Sequence, residues 1–157
     1  MVENKTKEIK HTVVKLNVKN NEFKSYLENM AFASNNLTNV VIYHCRQWFF
    51  YTQNLYYIEK EIKDVKFYTY DSEKIDDLIQ HMYIYNQQLL QRNKKPIDFV
   101  KYGLDAYFLH YYFKSINQDD YNCKDLSSQT SQQIVKKVTQ SFKDFKKALF
   151  DYFKYKE

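Results

Sequence analysis

Apolar residues recur at three- and four-residue steps through most of this chain, and the final stretch carries the pattern most clearly. It runs LSSQTSQQIVKKVTQSFKDFKKALFDYF from Leu126 to Phe153. Ile134, Val138, Phe142, Phe145, Leu149 and Tyr152 share one helical face. Lys136, Lys137, Lys143, Lys146, Lys147 and Lys154 populate much of the rest. Such a helix rests its apolar side on a core and turns cations outward. A solvated surface face has the same composition, so charge alone does not separate it from an anion-binding face.

Upstream, the same periodicity predicts further helices. Asn20 or Asn21 can cap a first one running to about Ser34, and Asn35 or Asn36 can restart it toward Lys60. Leu37, Val40, Val41, Tyr43, Phe50, Leu55 and Ile58 form its broad apolar stripe. Residues 64–72 read as a connection. Asp71 or Ser72 then caps a helix to about Asn93, with Ile75, Leu78, Ile79, Met82 and Leu89 inward and Pro96 beyond its end. Residues 97–116 read as one aromatic helix and 117–125 as a polar loop. The last helix begins near Ser128.

Only Ile9 to Lys19 breaks the helical period. Val14, Leu16 and Val18 alternate with Lys15, Asn17 and Lys19, the pattern of a strand. A lone strand leaves a row of N–H and C=O groups without partners. The rest of its sheet therefore lies outside this chain, or the segment is an extended arm. The expected fold is mainly α: a bundle of four to five helices over 21–157, preceded at 1–20 by one strand of an incomplete sheet.

Composition supports helices and removes several function classes. One glycine and one proline in 157 residues leave no material for a glycine-rich phosphate loop and little for tight hairpins. Sixteen tyrosines and twelve phenylalanines are too many to serve anything but packing for the most part. The net charge of +5 favours an anionic partner. Among the 24 basic residues only Arg46 and Arg92 are arginines, so the basic surface suits phosphates better than guanine edges. The abundance of Lys, Asn, Ile and Tyr also fits an AT-rich genome. No apolar run reaches the roughly eighteen residues a spanning helix needs, so no membrane partner is expected.

Catalytic and metal patterns are weak. Asp76–Asp77 and Asp119–Asp120 are adjacent pairs, whereas a two-metal site needs carboxylates converging from separate elements. His44 and Cys45 are neighbours on a helix and suit a shared metal poorly; a packed thiol explains Cys45 better than a nucleophile does. His11, His81 and His110 have no ligand-type partner at helical spacing. Cys45 and Cys123 lack a paired spacing and read as reduced cytosolic thiols. No cofactor, no metal and no enzymatic activity of the chain by itself are expected.

Two segments together resemble the amino-terminal region of TnpB-type proteins, the transposon-encoded RNA-guided nucleases related to type V CRISPR effectors. The first is Asn36-Leu37-Thr38-Asn39 followed by Tyr43, Arg46-Gln47 and Phe49-Phe50. The second is Tyr121 and Leu126, then SSQTSQQIVKKV and Ser141-Phe142-Lys143-Asp144-Phe145. Between them, Tyr102 and Leu104 to Leu109 fit the short helix that precedes the final one. Order and rough spacing agree with the family.

The resemblance implies that the first strand belongs to an oligonucleotide-binding wedge domain and that the helices after it form an inserted recognition domain. It also implies that the family's remaining wedge strands, RuvC-like nuclease and zinc ribbon would follow Glu157. Guide RNA and target DNA would be the partners, in a prokaryotic cytosol, with the cutting domain further along or on a second protein chain. By the same resemblance Ser128, Gln129 and Gln132 would read the motif flanking the target. Gln can pair with adenine N6 and N7, and Ser can serve base or phosphate. Lys136, Lys143, Lys146 and Lys147 would hold nucleic-acid backbone, as would Arg46, for which a structural hydrogen bond inside the bundle is an equal alternative. Capping explains Ser127 and Ser128 equally well.

Two departures stand out. Residues 52–96 include a helix that compact family members lack or shorten. Ser127 stands where the family carries a proline that pre-sets the helix start. The alternative readings are a subunit of a split nuclease, or a structural or protein-interaction bundle without nucleic acid.

Overall fold

The computed structural model describes residues 19–154, with side chains through Tyr152. Five helices make up this part: α1 (Asn21–Glu59), α2 (Ser72–Gln91), α3 (Phe99–Tyr102), α4 (Ala106–Ser115) and α5 (Ser128–Lys154). The expectation of a mainly helical chain holds. The strand expected from Ile9 falls, apart from Lys19, outside the described residues.

α1 starts where the sequence predicts, with Asn20 Oδ1 accepting from the N–H groups of Glu22 (2.9 Å) and Phe23 (3.1 Å). It does not stop at Asn35. Ser34 Oγ donates to Met30 O at 2.7 Å, and Thr38 Oγ1 donates to Ser34 O at 2.8 Å. Their hydroxyls thus bond back along the helix rather than capping a new one. Leu37 and Val41 are wholly buried, and burying each contributes about 1.5–3 kcal/mol. That outweighs the roughly 0.7 kcal/mol per mid-helix asparagine, so one helix of 39 residues replaces two.

The sequence places residues 97–116 in a single helix; the structure divides them. Gly103, at φ 76°, ends α3, and Asp105 Oδ1 caps α4 by accepting from Phe108 N at 2.8 Å. With ψ at −176° Gly103 occupies a region essentially reserved for glycine, which an L side chain enters only at a cost of about 1–3 kcal/mol. Elsewhere three helices end without glycine. Glu61, Asn93 and Asn117 take positive φ of 51°, 54° and 50° just past α1, α2 and α4. The next N–H in each case returns to a carbonyl five residues back: Ile62 to Tyr57, Lys94 to Leu89, Gln118 to Phe113.

α4 is the centre of the core. Phe108, Leu109, Tyr112 and Phe113 are entirely buried, with Ile75, Leu78 and Met82 of α2, Trp48 of α1 and Val135 of α5 around them. Trp48 Nε1 donates to Phe99 O at 2.9 Å, joining α1 to α3. Asp77 of α2 accepts from the Tyr112 hydroxyl and lies 3.2 Å from His81 Nδ1. Asp77 of the Asp76–Asp77 pair is thus a half-buried structural acceptor, while Asp76 is exposed.

α1 and α5 pack along each other in the same direction. Phe49 meets Phe142 and Phe145 with ring centres 6.1 and 6.5 Å apart, and farther along Tyr56 and Phe150 share a hollow. The innermost face of α5 is turned from the expected one. Ser131, Val135 and Thr139 are buried, while Ile134, Val138 and Phe142 are half-buried and Phe145 is 52 % exposed. Two of these three buried positions, 131 and 139, carry small polar residues. Thr139 Oγ1 satisfies itself on Val135 O at 2.9 Å.

Candidate nucleic-acid interface

α5 begins at Ser128, and Ser127 caps it. Its Oγ accepts from Thr130 N at 3.1 Å, and its carbonyl accepts from Ser131 N at 3.0 Å. Ser128 is thereby released from capping. Its hydroxyl instead accepts from Gln132 Nε2 at 3.4 Å, one turn on. Gln129 and Gln132 are both exposed.

From there the helical period sets the geometry. Gln129, Gln132, Lys136, Lys143 and Lys147 fall within about 60° of one another around the axis at 3.6 residues per turn. Neither amide is buried in the interior. Gln132, Lys136 and Lys143 face Asp105, Tyr107 and His110 of α4 across a groove of about 510 Å³. Tyr107 is 78 % exposed, the most of any large hydrophobic or aromatic side chain among the described residues. With Gln133 and Gln140 also lining it, the groove combines two ammonium groups, three amides, one carboxylate and an open aromatic ring.

Its electrostatics are uneven along the length. Asp105 is committed to capping α4 and leaves that end less favourable to phosphate. His110 is held below its ordinary range by burial, with Lys114 adding to the effect, and its Nδ1 lies 3.1 Å from the Tyr121 hydroxyl. An uncharged imidazole beside Lys136 and Lys143 leaves the lysines as the cations.

Ser128, Gln129 and Lys147 do not line this groove, and two further sequence-predicted contacts point elsewhere. Lys146 turns inward, with its Nζ 5.8 Å from the centre of the Phe49 ring, and burial lowers its pKa. It fills space beside Gly103 and does not extend the stripe. Arg46 is exposed on α1 and lies over Phe50 at 5.5 Å. With Lys137 it borders a different, largely apolar groove of about 720 Å³ between α1 and α5.

Tyr107 and His110 escape a reading of the sequence because residues 97–116 look like one helix. The cap at Asp105 was the available signal, since it places Tyr107 in the first turn of a new helix.

The Cys45 thiol is buried, and burial pushes its pKa up to about 12, which opposes a nucleophilic role. His44 donates from Nδ1 to Val40 O at 2.8 Å. Its Nε2 is buried with no hydrogen-bond partner among the described residues. No group of three or more metal-ligating side chains assembles among the described residues. No helix among them is long and apolar enough to cross a membrane. Compared with known protein families, with curated proteins and with solved structures, the chain finds no match.

Proposed function

We propose that the chain is a nucleic-acid-binding helical module, the recognition domain of a TnpB-like protein, and that the groove between α4 and α5 is its contact surface. Lys136 and Lys143 hold phosphates. Gln132, continued by Gln129 one turn earlier, offers amides to base edges, and Ser128 steadies Gln132. Tyr107 offers a face on which an unpaired base stacks. The carrying observation is the convergence of Gln132, Lys136 and Lys143 with an exposed tyrosine in one groove. The paired signature segments and the amide-bearing start of α5 supply the link to the family.

Binding of single-stranded RNA and of duplex DNA over a salt series tests this. Phosphate contacts release counterions, so affinity falls as salt rises, with log K linear in log salt. Affinity indifferent to salt, or no binding at low salt, refutes the reading.

A further inference from the structure

The second groove, between α1 and α5, lies on the other side of α5 and does different chemistry. Its floor is Ile42, Phe50, Val138 and Phe145, with Phe145 and Ile42 open to solvent. A volume of about 720 Å³ in an open trough suits a row of side chains from a helix. A phosphate backbone gains nothing from such a floor, because its charges would lose water without a polar partner.

Every ionisable group lining this trough is a cation, Arg46 and Lys137. That charge selects among apolar occupants. A second copy of this chain brings a net charge of +5 to the encounter. The chain's own residues 1–18 carry Lys5, Lys7, Lys10 and Lys15 against Glu3 and Glu8. Both repel the rim. An amphipathic helix with acidic residues flanking its apolar face satisfies floor and rim together.

We infer that the α1–α5 groove docks an acidic amphipathic helix of a partner protein, with apolar anchors on Ile42, Phe50, Val138 and Phe145 and carboxylates on Arg46 and Lys137. The inference stands independently of the nucleic-acid reading, because its apolar anchors lie on the opposite side of α5, although Lys137 shares a surface hollow with Lys136.

The test uses the full chain and two synthetic helical peptides. Both carry leucine at i, i+4 and i+7. One carries glutamate beside the leucines, the other lysine. Fluorescence polarisation should show the glutamate peptide binding at least about tenfold tighter than the lysine peptide. The double variant R46E/K137E should reverse that order. Both positions are exposed, and circular dichroism checks that the helices remain. Phe145→Ala should weaken both peptides on the intact rim. Equal binding of the two peptides, binding of neither, or an order unchanged in R46E/K137E overturns the proposal. Displacement of the glutamate peptide by single-stranded RNA also overturns it, since the trough would then belong to nucleic acid. Salt-dependent RNA binding through Lys136 and Lys143 survives R46E/K137E if the two sites are separate, so failure of one reading is distinguishable from failure of the other.

Discussion

Asn54 and Tyr68 exchange two hydrogen bonds: Asn54 Nδ2 donates to Tyr68 O at 2.7 Å, and Tyr68 N donates to Asn54 Oδ1 at 2.8 Å. The primary amide acts as one more peptide group and clamps the chain leaving α1 back onto the helix. Asn86 does the same for Ile97 after α2, at 3.0 and 2.9 Å. A chain with one glycine and one proline has few tight turns with which to reverse, and these amides take that task.

Replacing Asn54 by Ala leaves a buried position without its amide and both Tyr68 backbone groups without partners. The expected loss is about 1–3 kcal/mol, a fall in Tm on the order of 2–10 °C for a chain of this size. Asn54→Asp keeps the acceptor for Tyr68 N–H but sets a carboxylate against Tyr68 O, so it should not rescue. Thermal melts followed by circular dichroism decide this. An unchanged Tm for Asn54→Ala removes the clamp from the account.

Helix ends give a prediction of opposite sign. Glu61 holds φ 51° at the end of α1 with a side chain that disfavours it. Glycine relieves about 1–2 kcal/mol there and loses part of that gain to its freer unfolded chain. Glu61→Gly should therefore stabilise by about 0.5–1 kcal/mol, read from urea midpoints. Asn117→Gly should gain less, because asparagine already tolerates this backbone. Destabilisation by Glu61→Gly would mean that its side chain makes a contact worth more than the strain.

Helix starts were legible because capping is local: Asn20, Asp71 and Ser127 each accept an N–H two or three residues on. The break at Gly103 and the unbroken run through Asn35 were not, since burial of Leu37, Val41 and Phe108 across the bundle decides both. The face of α5 is the more instructive case. Its strongest apolar row, Ile134 to Phe145, points at the open α1–α5 groove, while Ser131 and Thr139 occupy the tight contact. Periodicity measures where apolar residues lie, and close packing between helices favours small ones. Lys136 and Lys143 could be read as one face, but their sharing a groove with Tyr107 is a long-range relationship that no local pattern encodes.

His44 makes stability depend on pH. Burial holds its pKa below the ordinary 6.5, and Lys74 adds to this; the Val40 carbonyl and Asp77 pull the other way. His110 is lowered as well. A folded pKa below the unfolded one means that the unfolded chain takes up protons first as pH falls. The contribution is therefore complete above pH 6.5 and is lost as pH drops from there toward the lowered folded values. Tm should fall between pH 7 and 5, and His44→Gln should flatten the profile, leaving the part due to His110. A profile equally steep in His44→Gln would assign the effect elsewhere.

Lys136, Lys143 and Gln132 share a groove, and on the proposed reading their roles are separable by variants. Each lysine replaced by Ala should reduce the slope of log K against log salt by about 1, weakening all sequences alike. Gln132→Ala should leave that slope intact and reduce discrimination between preferred and altered sequences by about 1–3 kcal/mol. Lys94→Ala and Lys95→Ala, exposed on the connection after α2, serve as controls and should leave the slope unchanged. Competition binding with a small panel of RNA and duplex sequences at several salt concentrations reads all three effects. If the controls lower the slope as much as Lys136→Ala and Lys143→Ala, attraction is spread over the surface and the groove has no special part in it. If Gln132→Ala lowers affinity and discrimination together with the melting temperature, its bond to Ser128 serves the start of α5 and not the reading of bases.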